Sequence, residues 1–152
     1  MSIWWSFQLR RNAASVPLAR RLLMGTMETA GVDPDISYDL SVALSEACAN
    51  AVEHGGAATS ETTDAFRVTA YLDGEMCRIE VADTGPGFTA TGGRAAVSVR
   101  PTPDYAEHGR GLCLIQELAD HVHFVNRPGK GGAVVSFDKI LKWREDAPLM
   151  AV

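Results

Sequence analysis

Glu46 and Asn50 lie four residues apart in the run LSEACANAVEHGG, residues 44–56. If that run is helical, the acid and the amide share one face. Glu53 and His54 carry the polar strip one turn further. Ala43, Leu44, Ala47, Cys48 and Ala51 form the apolar side of the same helix. Such a strip faces either water or a ligand. Taken alone, it fits a solvated face best.

Two further stretches have residue types that can hold a ligand. Asp83 to Phe88 reads DTGPGF and follows directly on a strand-like run. A carboxylate at a strand end can accept hydrogen bonds from an amino group. Gly85 and Gly87 remove side chains and permit positive φ. By itself the pattern D-x-G-x-G is equally a simple turn. His108 to Leu112 reads HGRGL and leads into a helical pattern. Gly109 and Gly111 let main-chain N–H groups approach a phosphate, and a helix N-terminus favours an anion. The same residues also make an ordinary glycine-rich helix start. No G-K-[ST] follows, so this is not a Walker loop. No G-x-G-x-x-G opens the first strand–helix turn, so it is not the Rossmann pattern.

These stretches need elements to carry them. WWSFQL near the N-terminus reads as a short first strand. SVPLARRLLMGTMETAG reads as a helix, with Ser15 as its cap, Pro17 in its first turn, an apolar stripe of Leu18, Leu22 and Leu23, and Gly31 closing it. Residues 33–56 read as a second helix, capped by Asp33 or Asp35 and stopped by Gly55-Gly56. FRVTAYL and CRIEVAD alternate apolar and polar residues around Asp73-Gly74, the signature of a β-hairpin. Residues 57–65 and 84–110 lack a period and read as loops, the longer one functional or mobile. GLCLIQELADHV reads as a third helix. HVHFVNR and AVVSFDKIL read as strands around PGKGG, and residues 145–152 as a frayed tail. The order predicts one α+β domain over residues 1–152, a two-layer sandwich of an antiparallel or mixed sheet with helices on one face.

The chain has 152 residues, 46% hydrophobic and 22% charged, enough for one ordinary core. A formal net charge of -5 does not suggest nonspecific nucleic-acid binding. No apolar run approaches the roughly 18–20 residues of a membrane span. The N-terminus has its charges after the apolar part, the reverse of a signal peptide. Cys48, Cys77 and Cys113 are far apart and embedded in apolar patterns. They read as small buried hydrophobes in a reducing cytosol, so a cytoplasmic location is expected.

Together the three stretches give E-x-x-x-N on a helix, D-x-G-x-G after a strand, then G-x-G opening a helix. This set resembles the ATP-binding domain shared by gyrase, the heat-shock chaperone, sensor histidine kinases and mismatch-repair ATPases, the Bergerat (GHKL) fold. SEACANAVEHG, VADTGPGF and HGRGLCLIQELAD are most similar to its small anti-sigma factor and serine-protein kinase branch. The resemblance runs from Phe7 to roughly Leu141. It implies a mostly antiparallel sheet and binding of ATP with Mg²⁺. It makes Asn50 the magnesium ligand and Glu46 the general base toward a serine hydroxyl or water. It gives Asp83 the adenine amino group, with Gly85 and Gly87 allowing close approach. Residues 88–107 become a lid, and His54 lies near the ribose or phosphates. The HGRGL segment, His108 to Leu112, becomes the phosphate site. There Gly109, Arg110, Gly111 and Leu112 present main-chain N–H groups, with Arg110 a charge partner. The implied partners are a sigma factor, an anti-anti-sigma antagonist with an acceptor serine, and a second copy of the chain through the N-terminal strand. Neither direct nucleic-acid contact nor a membrane is implied. The chain shows no phosphoacceptor-histidine helix or sensor segment, so a complete sensor kinase is not expected. One position departs from the pattern: Ala133 stands where the branch commonly has threonine after G-G, which implies weaker adenine binding.

Three readings follow. One is a serine kinase that also sequesters a sigma factor. Another is a binding module of the same fold in which nucleotide acts without phosphotransfer. The third is a metal protein using His108, Cys113, His121 and His123. His121 and His123 share a strand face, but no C-x-x-C or H-E-x-x-H spacing supports that site. Trp4 and Trp5 are read as core or interface residues, with an interface preferred.

Overall fold

The computed structural model describes residues 2–54, 65–83, 106–126 and 132–145, and only the main chain for His54, residues 106–111 and Asn126. In chain order the elements are β1 (Ile3–Arg10), α1 (Ser15–Ala30), α2 (Pro34–His54), β2 (Ala65–Leu72), β3 (Met76–Ala82), α3 (Ala106–Leu118), β4 (His121–Asn126) and β5 (Ala133–Ile140). The five strands form one sheet in the order β1-β2-β3-β5-β4, and every neighbouring pair is antiparallel. The expected α+β sandwich is therefore present, with a wholly antiparallel sheet.

Period-two patterning decides which sheet face meets the helices. Phe66, Val68, Ala70 and Leu72 of β2 are buried, as are Cys77, Ile79 and Val81 of β3. These residues point to one side of the pleat. They form a single core with Leu23 and Met27 of α1, Leu40 and Leu44 of α2, and Ile115 of α3. Each such side chain contributes roughly 1.5–3 kcal/mol by leaving water. Among the described residues no helix is long and apolar enough to cross a membrane.

α1 corrects two expectations. Its buried stripe is Ala19, Leu23, Met27 and Ala30, whereas Leu18 is 44% exposed and Leu22 half-buried. The docking angle onto α2 and the sheet selects the face, and a Leu pair in sequence does not. Ser15 does not cap the helix either. Ala14 holds the N-cap position, and the Ser15 hydroxyl donates to the Arg10 carbonyl at 2.6 Å, buttressing the β1–α1 turn. Gly31 ends the helix as expected. At φ 91 its N–H reaches the Met27 and Glu28 carbonyls, and Val32 N–H also reaches Met27.

The end of α3 also differs. It stops at Leu118, and His121 and Val122 belong to β4. Lys139 of β5 donates to the Leu118 carbonyl at 2.7 Å, which satisfies the helix C-terminus from outside the helix. Periodicity along α3 carries no trace of that partner. Beyond β5 the chain is tied down through Arg144. Val32 and Trp143 form an isolated bridge, and Trp143 Nε1 donates to the Gly74 carbonyl at 3.2 Å.

The β2–β3 turn is held by Asp73, whose Oδ1 accepts from the N–H groups of Glu75 (2.8 Å) and Met76 (2.9 Å). The Met76 bond, then the Glu75 bond, hold this carboxyl below the usual carboxylate range. A lowered folded pKa stabilises the fold above the unfolded value of about 4. That contribution disappears as pH falls through the lowered folded pKa. Asp73→Ala is expected to lower the thermal midpoint at pH 7 and to lower it less at acid pH. An equal loss at both pH values in a pH series of melting curves would assign the effect to packing.

Candidate functional site

α2 answers the question raised by the polar strip. Its Ala43, Leu44, Ala47, Cys48 and Ala51 are buried, and α2 packs on both β3 and α3. Glu46 and Asn50 are both half-buried on the opposite flank, and Glu53 is exposed. The strip therefore lies at the margin of the packed interior and is not a fully solvated face. Among the described residues the side-chain amide nitrogen of Asn50 is buried and has no hydrogen-bond partner. An orphaned buried donor costs roughly 1–3 kcal/mol, so it marks a place for a ligand. An ordinary surface asparagine would be satisfied by water.

Asp83 follows β3 immediately, and its position is tightly specified. Its N–H donates to the Ala133 carbonyl at 2.9 Å, and its Oδ1 accepts from the Ala133 N–H at 3.2 Å. Gly132, buried at φ 97, precedes that residue. Residue 133 thus supports Asp83 through its main chain. Sequence reasoning considered only the side chain missing there; the two glycines before a strand were the available signal. The methyl group of Ala133 is itself buried.

α3 begins at Ala106, five residues before the expected Gly111. The first four N–H groups of a helix lack intrahelical partners. The residues before Ala106 lie outside the described ones, so which N–H groups open α3 is not assigned, and Arg110, Gly111 and Leu112 lie on the helix itself. The Leu112 side chain is buried in the core and anchors this end of α3. Gly85, Gly87 and the expected lid, residues 88–107, lie outside the described residues except for the main chain of Ala106 and Glu107. The side chains of His54, His108 and Arg110 also lie outside them.

The histidine–cysteine metal reading includes His108, whose side chain lies outside the described residues. Among the described residues no three His, Cys, Asp or Glu side chains group to hold an ion. His121 is exposed and pairs through Nδ1 with Asp138 Oδ1 at 2.8 Å. Cys113 is half-buried on α3. Burial pushes the Cys48 thiol up to about 12. Burial, reinforced by the charges of Asp73 and Asp138, does the same to Cys77. Neither forms a thiolate near neutral pH, as expected of core cysteines.

Residues 9–139 match the family described as the histidine kinase-like ATPase domain. The chain belongs to that family. It is similar to the serine-protein kinase RsbW of Bacillus cereus (strain AH187), 30% identical over 122 residues covering 78% of this chain and 74% of that one. The serine-protein kinase RsbW of Bacillus mycoides (strain KBAB4) is 29% identical over the same length. Among solved structures, the RsbU and RsbW domains of Rv1364c from Mycobacterium tuberculosis align with a TM-score of 0.66 and 21% identity. That alignment covers 99% of this chain and 34% of the solved chain, so this chain spans about a third of it. The likeness there is one of fold.

Proposed function

We infer that the protein is an ATP-dependent serine kinase and anti-sigma factor, working in the cytoplasm. In this reading it sequesters a sigma factor and phosphorylates a serine of an anti-anti-sigma antagonist. The observation that carries the reading is the side-chain nitrogen of Asn50, buried and without a partner among the described residues one turn from Glu46, in a chain of the histidine kinase-like ATPase family. The similarity to serine-protein kinases supports a protein serine as acceptor.

Each residue then has a task. Asp83 accepts the adenine amino group. The main-chain N–H groups at the start of α3 and the Arg110 guanidinium hold phosphate oxygens, with His54 and His108 close by. Gly85 and Gly87 leave room for the base. The donor set at Asn50 fits magnesium, because an amide oxygen is a hard ligand. When bound, Mg²⁺ neutralises charge on the phosphates. Glu46 takes the proton from the serine hydroxyl as that oxygen bonds to the γ-phosphorus and the bond to ADP breaks.

The test is incubation with labelled Mg-ATP and candidate antagonist proteins that carry a serine at the acceptor position. Label on that serine is expected. Nucleotide binding without transfer to any such partner would favour a nucleotide-gated module instead, a reading that the lost hydroxyl at Ala133 also suits.

The homodimer belongs to the same proposal. β1 is an edge strand, and it exposes Trp4 (66%) and Phe7 (41%). Trp5 instead turns inward, its Nε1 donating to Thr26 Oγ1 at 3.0 Å. An apolar edge of this kind is usually covered in a stable protein. Trp4→Asp is expected to shift the protein from dimer to monomer in sedimentation, with the fold retained. An unchanged sedimentation coefficient would place the interface elsewhere.

A further inference from the structure

Asp83 and Ala133 lie one step beyond the last register pair of β3 and β5, Ala82 with Val134. At that step the Ala133 N–H donates to the Asp83 carboxylate, at 3.2 Å from Oδ1. Alanine has no side-chain donor, so this N–H is what residue 133 can offer. Its direction is set by the peptide plane joining Gly132 and Ala133. Gly132 has φ 97, a backbone conformation that L side chains rarely adopt. It is also buried, so its neighbours limit relaxation.

The geometry points to Gly132 as a positioning residue for nucleobase selectivity. Its positive φ aims the Ala133 N–H at Asp83 and holds the carboxylate in the orientation that meets an amino group. This rests on the proposed adenine role of Asp83. The chemistry makes orientation decisive. Adenine presents an amino donor where guanine presents a carbonyl oxygen. A well-aimed carboxylate attracts the first and repels the second. A carboxylate turned from that orientation weakens both effects. ATP then binds less well while GTP binds no worse. General damage to the fold would weaken both nucleotides together.

The experiment measures ATP and GTP dissociation constants by calorimetry on the full chain. The variants are Gly132→Ala, Gly132→Asn, Asp83→Asn, and Asp83→Asn combined with Gly132→Ala. Gly132→Ala is expected to lower the ATP-over-GTP preference about tenfold, the scale of one well-aimed polar contact. Asparagine adopts positive φ more readily, so Gly132→Asn should retain more of the preference. In the Asp83→Asn background, Gly132→Ala should change the preference no further, because the group it positions has been altered. Should Gly132→Ala fail to fold, Gly132→Asn decides the question through a smaller loss of preference confined to ATP, and no loss at all or an equal weakening of both nucleotides overturns the inference. Equal weakening of both nucleotides, or a further loss of preference in the Asp83→Asn background, overturns the inference. An unchanged preference in Asp83→Asn alone removes the adenine role and this inference with it. A lowered preference in Asp83→Asn beside an intact one in Gly132→Ala overturns the inference alone.

Discussion

Glu46→Gln is expected to lose phosphotransfer to the antagonist serine by about 10²–10⁴-fold, the usual contribution of a general base. The residue is half-buried on α2, one turn before Asn50, and glutamine keeps its shape while removing the proton acceptor. Nucleotide binding needs no proton transfer, so ATP affinity should stay within about twofold, a change of roughly 0.4 kcal/mol. The proposed capture of a sigma factor should also persist, since it would use the protein surface. The readout is single-turnover transfer of label beside a nucleotide titration. Unchanged transfer in both Glu46→Gln and Glu46→Ala would take Glu46 out of the mechanism. Loss of binding and folding together would return it to a structural role.

Asn50→Ala should act in the opposite way, on binding before chemistry. Even groups that only support a metal ligand change metal affinity about 10–100-fold, and a direct ligand should do no less. The sign of the stability change separates this role from a structural one. Among the described residues the Asn50 amide nitrogen is buried without a partner, so its removal relieves a desolvation cost of roughly 1–3 kcal/mol. The nucleotide-free variant should therefore melt no lower than the parent. At a ligand concentration 100 times its dissociation constant, Mg-ATP stabilises the parent by about 2.7 kcal/mol. The variant should lose most of that increment. A variant that melts lower without nucleotide, yet keeps the increment, would make Asn50 a structural residue.

Much of this was legible without coordinates. The alternation in FRVTAYL and CRIEVAD specified a hairpin and its buried face, because a pleated strand sends every second side chain to one side. The i, i+4 spacing of Glu46 and Asn50 specified a shared helix face for the same kind of local reason. Asp83 falls at the end of β3, as the pattern placed it. These features depend on periods of two and 3.6 within one segment, and a segment carries its own period.

Contacts between distant segments were a different matter. α1 turned Leu18 outward and Met27 inward because the angle at which it docks, a property of three elements, chose the face. α3 ended at Leu118, whose carbonyl accepts from Lys139, twenty-one residues later. The Asn50 amide became informative only when its neighbours failed to provide a partner. Asp83 was singled out for what it can accept, yet its carboxylate also accepts from the Ala133 N–H fifty residues away in sequence. Residue type and spacing specified which groups can do chemistry here. Burial, orientation and the satisfaction of hydrogen bonds were decided by the tertiary structure, because each depends on what the rest of the chain brings alongside.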